Sequence, residues 1–308
     1  MTLQEKLIII QKTSGLTQTE LATKIGVSFV AFNNWWNNKS QPHKNKLDII
    51  DELYKELTGQ KIVPDTVLLA NKQLIFNKAK KNKNILKTII SNPDIFNKFL
   101  LALVYNSNKI EGSTLSENET ADIMFDNQAL PNKSLIEQLE VKNHQAALQY
   151  LFNFLLKNKI INKELILKLH AILMNGIRDD AGLFRNHGVR IIDSNIPTAN
   201  YLKVPKLIDD LVININQKNN DIINLVSHIH GRFEQIHPFS DGNGRIGRLI
   251  MIAMLLRKNL APAIIRQENK RQYYNYLNKA QLKGEFSQLE NFICEAVLKG
   301  FDIIDRKD

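Results

Sequence analysis

The sequence predicts an all-α protein with one short β-hairpin, and three observations support this prediction. From about residue 89 to about residue 304, apolar residues recur at the spacing of helices that bury one face. Residues 1–58 contain shorter segments with the same periodicity. Residues 182–193 interrupt the helical pattern with the β-rich run Val189-Arg190-Ile191-Ile192. That run is too short for the core of a sheet and fits a hairpin or flap between helices.

Residues 1–60 are predicted to form a small helix-turn-helix module. Thr17 and Glu20 have the spacing of a capping box, Gly26 can end the helix that follows, and Ser28 can cap the next one. Residues 18–42 resemble the Cro/repressor-like helix-turn-helix family, which implies DNA as a partner through residues 17–40, bound by a homodimer on two half-sites. Because the second helix is rich in Asn and poor in Arg and Lys, docking to a protein or dimerisation remains the alternative.

The next segment, residues 61–88, is basic and is predicted to be a linker or a solvated helix face, followed by a catalytic domain at residues 89–308. Six lysines give it this character: Lys72, Lys78, Lys80, Lys81, Lys83 and Lys87.

Composition sets broad limits on the chain. The sequence has 308 residues, of which 44% are hydrophobic and 23% charged, and this suits a globular protein of two domains. The net charge of +10 suits nucleic acid, nucleotide phosphates or acidic proteins without choosing among them. A single cysteine, Cys294, excludes an internal disulfide. No apolar run is long enough for a membrane span and the N-terminus does not read as a signal peptide, so we expect a cytoplasmic protein without a membrane partner.

The segment from His237 to Arg248 has the features of an anion-binding loop between two helices. Pro238 breaks the incoming helix, while Gly242 and Gly244 let backbone N–H groups turn inward at the start of the outgoing helix. A helix N-terminus with inward N–H groups is a ready site for phosphate. Arg245 and Arg248 lie three residues apart and are expected to share a face that grips phosphate oxygens.

Two further side chains of the loop add chemistry to this phosphate site. Asp241 is a suitable ligand for a Mg²⁺ ion that bridges phosphates. His237 is the residue of the loop suited to removing a proton near neutral pH. Together these groups predict nucleotidyl or phosphoryl transfer, and the sequence has no Walker A loop that would indicate a P-loop enzyme.

This loop matches the signature of Fic domain proteins at every specified position. Its sequence is His237-Pro238-Phe239-Ser240-Asp241-Gly242-Asn243-Gly244-Arg245-Ile246-Gly247-Arg248. The resemblance covers about residues 89–300 and implies transfer of AMP from ATP to a Ser, Thr or Tyr hydroxyl of a target protein or of the chain itself. By resemblance, His237 is the base and Asp241 holds Mg²⁺. Gly242, Asn243 and Gly244 line the anion hole, with Asn243 on the α-phosphate, Arg245 on the phosphates and the leaving pyrophosphate, and Arg248 on the γ-phosphate. Tyr273 and Tyr274 lie near the adenine, and the flap residues Val189, Arg190, Ile191 and Ile192 dock the target.

A second motif, Ser107-Asn108-Lys109-Ile110-Glu111-Gly112, resembles the inhibitory helix of the second, self-inhibited class of Fic proteins. The resemblance implies that Ser107, Glu111 and Gly112 belong to a brake in which Glu111 pairs with Arg248 and keeps ATP in an unreactive pose. Ser107 and Glu111 are four residues apart and are expected to face the same side of a short helix.

Three alternatives to AMP transfer remain open from the sequence. The site can transfer another nucleotide or group, although both glycines at 242 and 244 favour AMP by resemblance. It can remove AMP, with Glu111 positioning a water molecule. The chain can also be a DNA-binding regulator whose Fic domain senses a nucleotide, against which the intact His237 argues.

Overall fold

The computed structural model describes residues 2–58, 64–191 and 196–305. Regular structure in these residues is helical, as the sequence predicts. The short 3-10 helices are Tyr201–Lys203 and Gln267–Asn269. The α-helices are α1 (Leu3–Ser14), α2 (Gln18–Ile25), α3 (Phe29–Trp36), α4 (Lys44–Thr58), α5 (Asp65–Lys80), α6 (Ile85–Ser91), α7 (Pro93–Ile110), α8 (Glu117–Phe125), α9 (Leu135–Leu156), α10 (Lys163–Leu173), α11 (Val204–Asn216), α12 (Ile222–Ile236), α13 (Asn243–Arg257), α14 (Lys270–Lys283) and α15 (Ser287–Ile304).

The chain divides into two compact units, Met1–Pro64 and Asp65–Asp308. The first contains α1 to α4, and its helices begin and end where the local signals place them. Thr17 and Glu20 form a reciprocal capping box at the start of α2, and Gly26 ends it with φ +75. The Ser28 side chain accepts from the Ala31 N–H and begins α3. The four helices share a core whose buried members include Leu7, Ile10, Leu21, Ile25, Phe32, Trp35 and Ile50.

The basic segment after the first unit is helical in its described part and belongs to the second unit. Helix α5 packs against α15, and the Lys72 ammonium of α5 is buried between Asp221, at 2.5 Å, and Glu290. A buried charge needs such partners to offset the loss of hydration. Lysines further along are more exposed, and Lys78 pairs with Asp305 at the end of α15. Residues 65–80 and 85–91 are therefore packed helices of the second unit and do not form a free linker.

Helix α13 lies at the centre of the second unit and carries the loop that precedes it. Its side chains are buried on all faces from Arg245 to Leu256, as expected of a helix surrounded by others. Helices α7, α9, α10 and α12 contact it. In the described parts of the chain, no helix combines the length and the apolar composition needed to cross a membrane.

The predicted β-hairpin is not found in the described residues around the flap. Residues 184–191 and 196–200 form no strand, and Ile192 lies outside the described residues. The reason is that side chains hold the local carbonyls, so no backbone ladder forms. The Arg185 guanidinium donates to the His187 carbonyl at 2.6 Å and to the Ala199 carbonyl at 2.5 Å, and the Thr198 hydroxyl donates to the Val189 carbonyl at 2.7 Å.

Candidate active site

The loop between α12 and α13 turns sharply at both ends. His237 ends α12 in the left-handed conformation, with φ 50 and ψ 62. Gly242 begins α13 with φ +76, where a Cβ would also lie 3.0 Å from the Met174 sulfur. A side chain at position 242 is therefore excluded by both backbone conformation and space. The N-terminus of α13 faces a cavity, which is the arrangement in which helix N–H groups can bind an anion.

This cavity has a volume of about 430 Å³ and brings most of the predicted residues together. Ser107, Gly112, Val189 and Arg245 are predicted site residues that do not line it. The predicted residues that do line it are Glu111, Arg190, Ile191, His237, Asp241, Gly242, Asn243, Gly244, Arg248, Tyr273 and Tyr274.

His237 has the protonation state that a base requires. Its Nδ1 lies 3.2 Å from the Glu234 carbonyl oxygen. Because a carbonyl can only accept, Nδ1 carries the hydrogen and Nε2 presents a free lone pair in the neutral ring. Burial lowers the pKa of His237 below its ordinary value, so the ring stays neutral near pH 7.

Asn243 shapes the loop through contacts that the sequence does not reveal. Its carboxamide oxygen accepts from the Phe239 N–H at 2.9 Å, and its amide nitrogen donates to the Phe239 carbonyl at 2.9 Å. Phe239 itself is fully buried and stacks on the His170 ring, with centroids 3.7 Å apart. In this structure the Asn243 carboxamide therefore clamps the loop backbone at Phe239.

The predicted pair between Glu111 and Arg248 is present. Arg248 Nη2 donates to Glu111 Oε1 at 2.6 Å, and Arg248 Nε donates to the Ser107 hydroxyl at 2.8 Å. Burial alone would lower the pKa of the Arg248 guanidinium, but the Glu111 carboxylate more than offsets this and raises it. Gly112 follows the end of α7 with φ +110, a conformation that turns the chain away after Glu111.

Arg245 does not share a target with Arg248, contrary to the expectation from their spacing. Arg245 Nη1 donates to Glu140 Oε1 of α9 at 2.6 Å, and its side chain is almost completely buried. Arg248 instead points to α7, where Ser107 and Glu111 lie. Two side chains that lie three residues apart point about 60° apart around the helix axis. This angle is enough for two long side chains to reach different neighbouring helices.

Asp241 stands at the mouth of the cavity with 55% of its side chain exposed. Its Oδ1 accepts from the Gly242 N–H at 2.6 Å and lies 3.9 Å from Arg245 Nη2. Among the described residues, no three His, Cys, Asp or Glu side chains are grouped so as to hold a metal ion by themselves. A cation at Asp241 would therefore need ligands from a bound phosphate or from water.

Glu234 is a cavity residue that the sequence analysis does not identify. Burial raises the pKa of its carboxyl to about 8, so the group is mostly protonated at neutral pH. Its Oε1 has no hydrogen-bond partner among the described residues. The feature of the sequence that could have identified Glu234 is its position three residues before His237, near the end of α12. Nearby, the Tyr273 hydroxyl lies 2.5 Å from His230 Nε2, so this predicted adenine neighbour is also tied to α12.

Comparison with known proteins agrees with this geometry. The model of the Fic/DOC family matches residues 160–255. A protein adenylyltransferase Fic from Nematostella vectensis is 31% identical over 202 residues, which is 65% of this chain and 47% of that protein. Its counterpart from Aedes aegypti is 30% identical over 205 residues, 65% of this chain and 40% of that protein. The chain thus matches less than half the length of these curated relatives.

Solved structures show the same fold. A structure of Fic-1 from C. elegans superimposes with a TM-score of 0.70 at 20% identity and covers 97% of this chain and 91% of that chain. A Fic family protein from Desulfovibrio desulfuricans G20 has a TM-score of 0.66 at 24% identity, with 79% of this chain and 74% of that chain covered. The match to the Fic/DOC family model at residues 160–255 includes α12 and the whole loop after it.

Proposed function

We propose that this chain transfers AMP from ATP to a hydroxyl group of a target protein. The observation that carries the proposal is the neutral His237 ring, with a free Nε2, in one cavity with the N-terminus of α13 and Arg248. The curated relatives that match 65% of this chain are named protein adenylyltransferase Fic, which supports the same reaction.

The chemistry balances with these groups. The target hydroxyl oxygen forms a bond to the α-phosphorus of ATP, and the bond from that phosphorus to the β-phosphate oxygen breaks. His237 Nε2 takes the hydroxyl proton, and pyrophosphate leaves. A positioned base of this kind contributes roughly 10²–10⁴ in rate. The N-terminus of α13 supplies N–H groups where charge develops on the phosphate oxygens.

Substrate placement follows from the cavity walls. Arg248 is the cation positioned for the γ-phosphate once Glu111 leaves it, and Tyr274 offers a half-buried ring for the adenine. Asp241 fits a Mg²⁺ ion, since it presents one exposed carboxylate where phosphates are expected, and the ion would neutralise phosphate charge. Arg190 and Ile191 line the cavity at its flap side, where we place the target segment.

The pair between Glu111 and Arg248 is proposed to be a brake of the self-inhibited class. Arg248 directs its Nη2 and Nε to Glu111 and Ser107, and Glu111 Oε1 lies within 2.4 Å of where a Cβ on Gly244 would be. The carboxylate therefore occupies the wall of the anion site. A γ-phosphate bound there would meet the negative charge of Glu111 and an arginine that is already paired.

The experiment is incubation of purified protein with Mg²⁺ and ATP labelled at the α-phosphate. The forms compared are wild type, Glu111→Gly, Glu111→Gly with His237→Ala, and Glu285→Gly as a matched loss of an exposed carboxylate that pairs with Lys279. We expect strong labelling of protein in Glu111→Gly alone. If no form takes up label from ATP, UTP, CTP or γ-labelled ATP, the transferase proposal fails.

The same samples separate addition of AMP from its removal. The protein that carries labelled AMP after incubation with the Glu111→Gly variant is purified and mixed with unlabelled wild type. Loss of label that requires Glu111 in the added enzyme would assign removal to this site, with Glu111 holding the attacking water. Stable label would leave transfer as its reaction.

For the first unit we propose DNA binding through residues 17–40 by a homodimer. The support is the geometry of α2 and α3, joined at Gly26, with Asn37 and Lys39 exposed after α3. The test is anisotropy of labelled random duplex DNA with the full chain at rising salt, alongside sedimentation for the oligomeric state. Absence of binding at low salt would favour protein docking instead.

A further inference from the structure

His170 lies outside both sequence motifs, yet it contacts the loop from behind. It is on α10, is almost completely buried, and its ring is nearly parallel to that of Phe239, with centroids 3.7 Å apart and 7° between planes. One side of the loop therefore lines the cavity, and the opposite side packs against the His170 imidazole.

The hydrogen bonds of His170 define one tautomer. The Gly182 N–H donates to His170 Nδ1 at 2.8 Å, so Nδ1 carries no hydrogen. His170 Nε2 lies 3.1 Å from the Asp241 carbonyl oxygen, which can only accept. The ring is therefore neutral, with its hydrogen on Nε2 donated to the loop.

The contact with the Asp241 carbonyl fixes a peptide plane that matters for the site. A trans peptide is planar, so its C=O and N–H point in opposite directions. With the Asp241 oxygen held by His170, the Gly242 N–H of the same peptide is directed away from α10 and donates to Asp241 Oδ1 at 2.6 Å. His170 thus sets the direction of the Gly242 N–H and, through the hydrogen bond of that N–H, the rotamer of Asp241.

Other loop carbonyls are held by a different residue, which makes the role of His170 separable. Arg185 donates from its guanidinium to the carbonyls of His237, at 2.6 Å, and Ile236, at 3.3 Å. The Arg185 N–H donates to the Pro238 carbonyl at 3.0 Å. These contacts lie at the His237 end of the loop, whereas His170 acts at the Asp241 end.

We propose that His170 is a positioning residue that orients the Asp241–Gly242 peptide, and with it the Asp241 carboxylate, for magnesium binding. The inference rests on the proposed nucleotide transfer at this cavity. His170 acts through Asp241 and Gly242, and none of its atoms contacts the substrate.

The test compares His170→Phe and His170→Gln in the Glu111→Gly background. Phenylalanine keeps a ring to stack on Phe239 and removes both nitrogens, whereas glutamine restores an amide donor. The control is His228→Phe, since His228 also stacks on an aromatic ring, Phe286 at 3.7 Å, and does not line the cavity. The readouts are kcat, the Mg²⁺ concentration for half-maximal rate, and ATP affinity by calorimetry without Mg²⁺.

We expect His170→Phe to lower kcat by about 10–100-fold and to raise the Mg²⁺ requirement, as loss of a group that orients a metal ligand does. ATP affinity without Mg²⁺ should change by less than about threefold, and His170→Gln should recover part of the rate. Equal kcat and Mg²⁺ dependence in His170→Phe and His228→Phe would overturn the proposal. So would a loss of rate in His170→Phe that matches a loss of folded protein and is not relieved in His170→Gln.

A second readout needs no activity. In ¹⁵N-histidine-labelled wild type, the His170 ring should show a protonated Nε2 and an unprotonated Nδ1, and the Gly242 amide should exchange faster in His170→Phe than in His228→Phe. The opposite tautomer or unchanged exchange would contradict the inference. If Glu111→Gly is inactive while these signals appear, the proposed function fails and the orientation of the peptide by His170 stands.

Discussion

Glu111 and Arg248 are separated by 137 residues of sequence and meet at 2.6 Å inside the candidate active site. The guanidinium is buried and the carboxylate is partly exposed, with 31% of its side chain accessible. The partner that can leave the pair is therefore Glu111, since it sits at the end of α7 and reaches solvent. We therefore expect release of the proposed brake to begin at Glu111.

Gly244→Ala should weaken the brake. A Cβ at this position would lie 2.4 Å from Glu111 Oε1, so the flexible end of Glu111 must shift. We expect labelling from α-labelled ATP above wild type and below Glu111→Gly. The control is Gly247→Ala on the same helix, where a Cβ would lie 2.4 Å from Glu234 Oε1 and would not meet Glu111. Equal labelling of the two alanine variants would show that Glu111 does not depend on Gly244.

The acid limit of catalysis should lie below pH 6.5. Burial lowers the pKa of His237 below its ordinary value of 6.5, and Glu111 acts in the opposite direction. In Glu111→Gly the opposing carboxylate is gone, so the base stays unprotonated to lower pH still. The measurement is kcat/KM for ATP against pH in this variant, because this ratio reports the ionisation of the ATP-free enzyme. An acid limb centred above pH 6.5 would argue that the base is not His237 in this environment.

Glu234→Gln should change how stability depends on pH. Burial raises the pKa of Glu234 from 4.5 in a model compound to about 8 in the folded chain. Between these values the unfolded chain releases the proton and the folded chain keeps it, so wild type loses stability as pH rises from about 5 to 8. Glutamine has no proton to lose. We expect its stability relative to wild type to increase by more than about 1 kcal/mol over this range, measured by denaturant unfolding.

A flat difference between Glu234→Gln and wild type across pH 5 to 8 would mean that Glu234 titrates normally in the folded chain. Glu290→Gln is unsuitable as a control because Glu290 pairs with Lys72. Glu164→Gln provides one, since it replaces a carboxylate in the exposed first turn of α10.

Lys72→Ala should destabilise the second unit strongly. It would leave the Glu290 carboxylate, whose side chain is 7% exposed, without its cation. Breaking a buried ion pair by removing one partner costs about 3–5 kcal/mol. Lys80→Ala, at an exposed position on the same helix, should cost less than about 0.5 kcal/mol. Equal unfolding free energies for the two variants would contradict the assignment of α5 to this unit.

Local features were predictable because their causes lie within a few residues. The caps at Thr17, Gly26 and Ser28 form where the sequence indicates, and so does the turn between helices from Pro238 to Gly244. Each needs only a short side chain, a missing Cβ or a missing N–H at the right spacing. The hairpin at Val189 to Ile191 was wrong for the described residues, since Arg185 and Thr198 hold the carbonyls that a ladder would need.

The sequence by itself determined the helical class, the position of the loop between two helices and the pairing of Glu111 with Arg248, the last through resemblance to a family motif. Only the tertiary structure decided that Arg245 turns to Glu140, that Asn243 clamps Phe239, that Glu234 lines the cavity and that His170 contacts the loop. The physical reason is that a long side chain on a central helix can reach several neighbouring helices. Which neighbour offers a partner depends on packing between segments far apart in the chain, and spacing along one helix does not encode it.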